Sequence, residues 1–154
     1  MPDYKGHLIG AFAFLGLSLL VLSAAGYYLK PALVIQAAFF VCLGALFPDI
    51  DTKSKGQKFF YAVLFVTMIG LLICKKYYIG LSLALFGFLP LFSNHRGLFH
   101  TFWFAAVVFI TAIIGCALYF PVYTNIGIRN GLFFLIGVIS HLMLDFGMRR
   151  CFKR

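Results

Sequence analysis

Acidic residues are almost absent from this chain. It contains no glutamate and only four aspartates, and charged residues make up 11% of its 154 residues, against about 25% in an ordinary soluble domain. Hydrophobic residues make up 63%, and the mean hydropathy is +1.00. A soluble domain of this length cannot bury so much apolar surface in one core. The composition therefore excludes a soluble domain and predicts a protein whose outer surface is covered by lipid.

Cysteine is scarce too, and the spacing of the cysteines does not match a disulfide or metal-binding motif. The four cysteines stand at positions 42, 74, 116 and 151, without a Cys-x-x-Cys pair. This spacing indicates neither a disulfide framework nor a thiolate metal site. Cys42 and Cys116 lie inside apolar runs, where a small polarisable side chain simply packs.

Apolar runs dominate the chain and predict an all-α, polytopic membrane helix bundle. We expect six transmembrane helices, with five as the fallback, in a single integral membrane domain over residues 1–154. The runs are Leu8–Leu29, Ala32–Phe47, Phe59–Cys74, Tyr77–Phe92, Phe102–Tyr123 and Gly131–Phe146. A span needs about 20 residues, so the four runs of sixteen residues must extend into their polar flanks or cross a locally thin bilayer.

Short polar segments join these runs and define the ends of the spans. Pro31 and Pro48 mark helix boundaries, since proline cannot continue a helix, and Thr124–Asn130 is expected to be a polar connection. The first run is longer than the roughly 7–15 apolar residues of a signal-peptide core. We therefore expect a retained helix rather than a cleaved leader, although Ser23–Gly26 has the small residues of a cleavage site.

Positive charges are distributed unequally between the two ends of the predicted bundle. With six spans, nine lysines and arginines fall at the end that carries both termini, and four fall at the other end. The positive-inside rule then places both termini in the cytoplasm. The same rule accounts for the net charge of +9, so we expect the lipid bilayer as partner and no nucleic acid.

The scarce ionisable residues gather at that same predicted face. Seven of the eight His and acidic residues lie at span ends there, and Asp3 lies in the adjoining tail. His141 and Asp145 are four residues apart, so both project from one face of a helix. They lie about one turn inside the hydrocarbon, where ionisable groups are costly and usually paired or functional. The seven residues are His7, Asp49, Asp51, His95, His100, His141 and Asp145.

These residue types at these positions predict a metal or catalytic site. Imidazole nitrogens and carboxylate oxygens suit zinc first, with manganese and iron as alternatives. Taken singly, each residue has a simpler interpretation: an interfacial histidine, an aspartate in a turn after proline, or a hydrogen-bonded His141–Asp145 pair. The candidate metal ligands are His7, Asp49, His100, His141 and Asp145, enough for one or two ions.

The motifs also resemble a known family. The early His7 with Gly10, the Pro48–Asp51 segment, His95-Arg96-Gly97 with His100-Thr101, and His141 through Asp145 occur in the order found in the YdjM-like family. That family is described as membrane-bound, LexA-regulated, metal-dependent hydrolases. Gly6 stands where the family pattern has Thr before its first His. The resemblance implies a helix bundle in the cell's inner membrane and a metal-dependent hydrolytic reaction.

From these observations we expect hydrolysis at the cytoplasmic membrane surface, of a phosphoester in a lipid or lipid-linked substrate. Ligand types shared with zinc-dependent phospholipase C enzymes suggest the phosphoester by analogy. Asp51 or His95 would accept a proton or orient a ligand, and Arg96 would hold phosphate oxygens bidentately. The alternatives are a metal-ion or proton transporter, which would use the same residue types, and a structural or regulatory membrane protein.

Overall fold

The computed structural model describes residues 3–92 and 98–147, and these residues form an all-helical bundle. Six α-helices alternate in direction, joined by short 3-10 helices. The α-helices are α1 (Tyr4–Ala24), α2 (Pro31–Leu46), α3 (Lys55–Ile73), α4 (Tyr77–Phe88), α5 (Phe102–Tyr119) and α6 (Thr124–Phe146). The 3-10 helices are η1 (Phe47–Asp51), η2 (Leu89–Phe92), η3 (Leu98–His100) and η4 (Pro121–Tyr123).

The odd-numbered helices all begin with a capping side chain at the same end of the bundle. The side chains of Asp3, Ser54 and Thr101 accept hydrogen bonds from backbone N–H groups in the first turns of α1, α3 and α5, at 3.0, 3.1 and 3.2 Å. Each cap satisfies a donor that has no partner within its helix. We call this end, where η1 and η3 also lie, the site face.

Five helical stretches are long and apolar enough to cross a membrane: 4–24, 31–51, 55–73, 102–119 and 121–146. The one α-helix not among these stretches, α4, has only 12 residues. The 3-10 helix η2 continues it and contacts η1 at the site face. Together α4 and η2 extend about 26 Å, close to the roughly 30 Å of a hydrocarbon core. The hydroxyl of Tyr61 on α3 donates to the carbonyl of Gly87 on α4 at 2.9 Å. The fold is thus an all-α membrane bundle in which α4 is the shortest crossing.

The start of the last helix differs from the sequence prediction. Residues 124–130, expected as a polar connection, form the first two turns of α6. The connection is instead η4, which begins at Pro121. Arg129 is thereby brought beside α2, where its Nη2 donates to Gln36 Oε1 at 3.1 Å. Because Gln36 gives the Arg129 guanidinium a partner, α6 continues through polar residues whose composition alone predicts a connection.

Helix α6 is the centre of the bundle and packs on α1, α2 and α5. Its contact with α2 is close enough to require glycine on both helices. A Cβ at Gly44 would lie 2.0 Å from the Phe134 carbonyl oxygen, and a Cβ at Gly137 would lie 2.1 Å from the Val41 carbonyl oxygen. Small residues permit such approach between membrane helices. This α2–α6 seam holds the end of α2 against the histidine-bearing turn of α6.

Candidate metal centre

Five ionisable side chains from four elements converge at the site face. His7 comes from the first turns of α1, Asp49 from η1, His100 from η3, and His141 and Asp145 from the last turns of α6. The three histidines are buried, with at most 2% of each residue exposed. Alternating helix direction explains the meeting, because residues 7, 49, 100 and 145 all stand where a span starts or ends at this face.

The first group joins α1 to α6. His7 Nε2 lies 3.6 Å from Asp145 Oδ1, and His141 Nε2 lies 3.5 Å from Asp145 Oδ2. The imidazole rings of His7 and His141 stack with centroids 3.8 Å apart and planes inclined by 13°. Gly10 follows His7 by about one turn, and a Cβ there would meet the Leu144 side chain of α6 at 2.6 Å. The close α1–α6 contact therefore brings the two rings together.

The second group joins η1 and η3 to the same histidine of α6. Asp49 Oδ1 lies 3.5 Å from His100 Nε2 and 3.8 Å from His141 Nε2. Asp49 is held in a defined turn, because its carbonyl oxygen accepts hydrogen bonds from the hydroxyls of Thr52 at 2.9 Å and Ser54 at 3.0 Å. His141 is therefore the member that the two groups share.

The orientation of His141 is fixed by the end of α2. Its Nδ1 lies 2.7 Å from the carbonyl oxygen of Ala45, and since a carbonyl only accepts, Nδ1 carries the proton and donates. Pro48, three residues after Ala45, has no N–H with which to take that carbonyl in a 3-10 turn. The bond leaves Nε2 with its lone pair directed at the two carboxylates. A backbone carbonyl on the remote nitrogen is the usual support of a metal-binding histidine.

An apolar shelf closes the site on its bundle side. Phe47, Ile50, Phe99 and Leu142 are at most 2% exposed and form one packed cluster. The rings of Phe47 and Phe99 approach to 5.7 Å between centroids. This shelf excludes water beneath the ionisable groups, so their mutual interactions act in a poorly screened environment.

The distances suit an ion better than they suit hydrogen bonds. N–H···O bonds fall at about 2.7–3.2 Å, shorter than the four His–Asp separations of 3.5–3.8 Å. Ligand atoms about 2.0–2.2 Å from one ion, at tetrahedral to trigonal angles, stand roughly 3.3–3.6 Å apart. His141 Nε2 and Asp145 Oδ1 are buried without a hydrogen-bond partner among the residues that the structure describes. The donor set, its spacing and these two atoms fit a divalent cation.

The structure thus brings all five sequence-predicted metal ligands into two overlapping groups: His7 with His141 and Asp145, and Asp49 with His100 and His141. The residues expected to act on substrate are placed less fully. Asp51 lies in η1 two residues beyond Asp49 and belongs to neither group. His95 and Arg96 lie outside the described residues.

Two structural features that shape the site could not be recognised from the sequence. The first is the Ala45 carbonyl that orients His141, since a backbone atom leaves no mark in composition. The second is the glycine pair Gly44 and Gly137, which sets how closely α2 approaches α6. Gly137 is followed four residues later by His141, so no Gly-x-x-x-Ala motif marks it as a helix-packing position. The role of the glycine pair is therefore evident only from the packing of α2 against α6.

Fold and site together define a multi-pass helical membrane protein with a buried histidine–aspartate cluster at one membrane face. A family model described as YdjM inner membrane protein matches residues 3–150. The chain therefore belongs to the YdjM family and is a multi-pass protein of the inner membrane, which confirms the resemblance drawn from its motifs. No curated protein and no solved structure matches the chain.

Proposed function

We propose that this chain is a metal-dependent hydrolase that acts at the cytoplasmic face of the inner membrane on a phosphoester of a lipid or lipid-linked substrate. The observation that carries the proposal is the convergence of three imidazoles and two carboxylates at separations of 3.5–3.8 Å. Buried ionisable groups within a membrane are costly, and they are usually kept for function. A cation bound at the shared His141 would neutralise the carboxylates of both groups.

We infer one ion for each chain, with zinc as the first choice and manganese or iron as alternatives. Both groups depend on the Nε2 atom of His141, and a ring nitrogen has a single lone pair. The groups therefore describe two sides of one centre rather than two independent sites. Three nitrogens and two carboxylates are a donor set that zinc accepts. When bound, such an ion supplies Lewis acidity and activates water near neutral pH.

The chain's own residues provide the remaining functions in this proposal. The Ala45 carbonyl holds the His141 ring, and the apolar shelf excludes bulk water from the inner side. Asp51 is the candidate proton acceptor, His95 is a second candidate for that role, and Arg96 is the candidate for pairing with phosphate oxygens. The position of the cluster at a membrane face suits a substrate whose apolar tail stays in the bilayer.

Metal content is the first test. We expect about one zinc per chain in the detergent-purified protein, measured by inductively coupled plasma mass spectrometry. His141→Ala and Asp49→Ala should bind metal more than about a hundredfold more weakly, since loss of a mere supporting group already weakens binding about 10–100-fold. Asp3→Asn is the matched control, because it keeps the helix cap and lies outside both groups. A folded wild type without stoichiometric metal would refute the proposal.

Activity is the second test, on a panel of phospholipids and lipid-linked phosphates. Metal-dependent release of phosphate or of a phosphorylated headgroup, lost in His141→Ala, supports the hydrolase. Metal flux into liposomes without any hydrolysis would identify a transporter instead. Correct folding and unchanged behaviour without metal would identify a structural protein, in which the histidines and aspartates satisfy one another.

A further inference from the structure

A groove runs along the outside of the bundle next to the candidate metal centre. Its floor is α2 at Cys42 and Leu46, and its walls are α1 on one side and α3 on the other. Helix α1 packs on α6 and on one side of α2, whereas α3 packs mainly on α4 and η1 and makes only a small contact with α2. They therefore leave this face of α2 uncovered within the membrane-spanning part of the bundle. The remaining lining residues are Tyr4, Leu8, Phe12, Lys55, Gly56 and Phe59.

The length and volume of the groove suit a hydrocarbon chain. From Tyr4 to Phe12 it extends roughly 12 Å at about 1.5 Å per residue, close to the thickness of one leaflet of a hydrocarbon core about 30 Å thick. Its volume is about 400 Å³. A groove of this length and volume has room for one extended hydrocarbon chain.

The polar end of the groove carries a positive charge. Lys55 Nζ lies 3.0 Å from the hydroxyl of Tyr4 and 4.4 Å from the centroid of its ring. This contact joins the first turns of α1 and α3 at the site face. The Tyr4 hydroxyl only accepts a hydrogen bond from Lys55. Lys55 makes no ion pair with any residue that the structure describes, so the ammonium can take an anion. The rest of the lining is almost entirely apolar, as an acyl chain requires.

We propose that this groove is a binding site for one bilayer phospholipid, with an acyl chain between α1 and α3 and its phosphate against Lys55. The groove and the candidate metal centre lie on adjacent faces of α1, because Leu8 lines the groove while His7 belongs to the cluster. Binding in the groove requires neither a bound metal nor a hydrolytic reaction. Lipid binding and hydrolysis can therefore fail independently of each other.

The first experiment uses the wild-type chain in detergent and its own thiols. Cys42 lies on the groove floor, whereas Cys74 is exposed at the far end of α3. Phosphatidylglycerol, added to saturation, should slow alkylation of Cys42 by N-ethylmaleimide and leave Cys74 unchanged, as measured by peptide mass spectrometry. Equal effects at the two cysteines, or none at Cys42, would overturn the proposal.

The second experiment counts retained lipid by native mass spectrometry. We expect one tightly held phospholipid per chain, lost in Leu8→Trp, which fills the groove, and kept in Leu17→Trp, which changes an exposed residue of the same helix outside the lining. Lys55→Gln is a milder variant that keeps the packing. It should weaken retention roughly twofold to fivefold, as for an exposed ion pair, while Lys58→Gln should not. Lipid retention equal to that of the wild type in both Leu8→Trp and Lys55→Gln would overturn the proposal. It would also be overturned if Leu8→Trp abolished a dimer of the chain and left the amount of bound lipid unchanged.

Discussion

Replacing Gly137 by alanine tests whether the α2–α6 seam builds the metal centre. The added Cβ would lie 2.1 Å from the Val41 carbonyl oxygen and 2.8 Å from the Ala45 amide nitrogen. Both are backbone atoms of α2, so no side-chain rotation relieves the contact. Ordinary contacts begin near 3.4 Å, and the two helices must therefore separate locally by about 1.3 Å.

The same displacement reaches His141, which lies one helical turn beyond Gly137. Its 2.7 Å bond to the Ala45 carbonyl would stretch well beyond hydrogen-bond range, leaving the ring without its orienting partner. Loss of such a partner weakens metal binding by about 10–100-fold. Overpacking of this kind also destabilises a fold by about 1–3 kcal/mol, equivalent to a fall of roughly 2–10 °C in Tm for a chain of this size.

The assay is thermal unfolding in detergent together with a zinc titration, with Gly115→Ala as the control. A Cβ at Gly115 meets nothing within 4 Å, so that variant should gain up to about 1 kcal/mol from the better helix propensity of alanine. The two substitutions are chemically identical and should act in opposite directions. If Gly137→Ala matched Gly115→Ala in both Tm and zinc affinity, the seam would not position the site.

Two further predictions concern the groups around the proposed ion. Pro48→Ala restores an N–H that competes for the Ala45 carbonyl, so we expect zinc affinity to fall by about tenfold in a titration, while Pro121→Ala, at the other end of the bundle, leaves it unchanged. Removing the metal with a chelator should lower Tm by roughly 5–10 °C for a site held at about a hundred times its Kd, and added zinc should restore it. Unchanged zinc affinity in Pro48→Ala would show that Pro48 does not keep the Ala45 carbonyl available to His141. A Tm that does not change on chelation would show that no ion stabilises the fold.

Much of the fold could be predicted because lipid imposes strong constraints on sequence. Every backbone polar group in the bilayer must be satisfied within the chain, so apolar runs become helices, and their direction alternates. That rule alone placed His7, Asp49, His100 and Asp145 at one face. The start of α6 escaped prediction, because Arg129 and Asn130 resemble a polar connection until Gln36 of α2 supplies a partner for the guanidinium.

The site could be predicted as a set of residues but not as a geometry. Histidine and aspartate are so scarce here that their gathering at one face is visible without a structure. Which of them meet depends on distances that only packing sets: the α2–α6 approach at Gly44 and Gly137, and the carbonyl that turns His141. Asp51 has the same residue type and almost the same position as Asp49, yet only Asp49 joins the cluster.

The distribution of polar groups along the bundle argues for a resident ion rather than a transported one. A cation that crosses the membrane needs oxygen or imidazole ligands in succession, and transporters usually place their site near the bilayer midplane. Beyond the cluster, the described polar groups that are partly or fully buried include Gln36, Arg129 and Asn130. Arg129 is a permanent cation that would repel a passing metal, and Gln36 already accepts its hydrogen bond. The far half therefore opposes a cation path, while at the site face the ligand atoms form two groups of three that share His141 and could hold a metal ion.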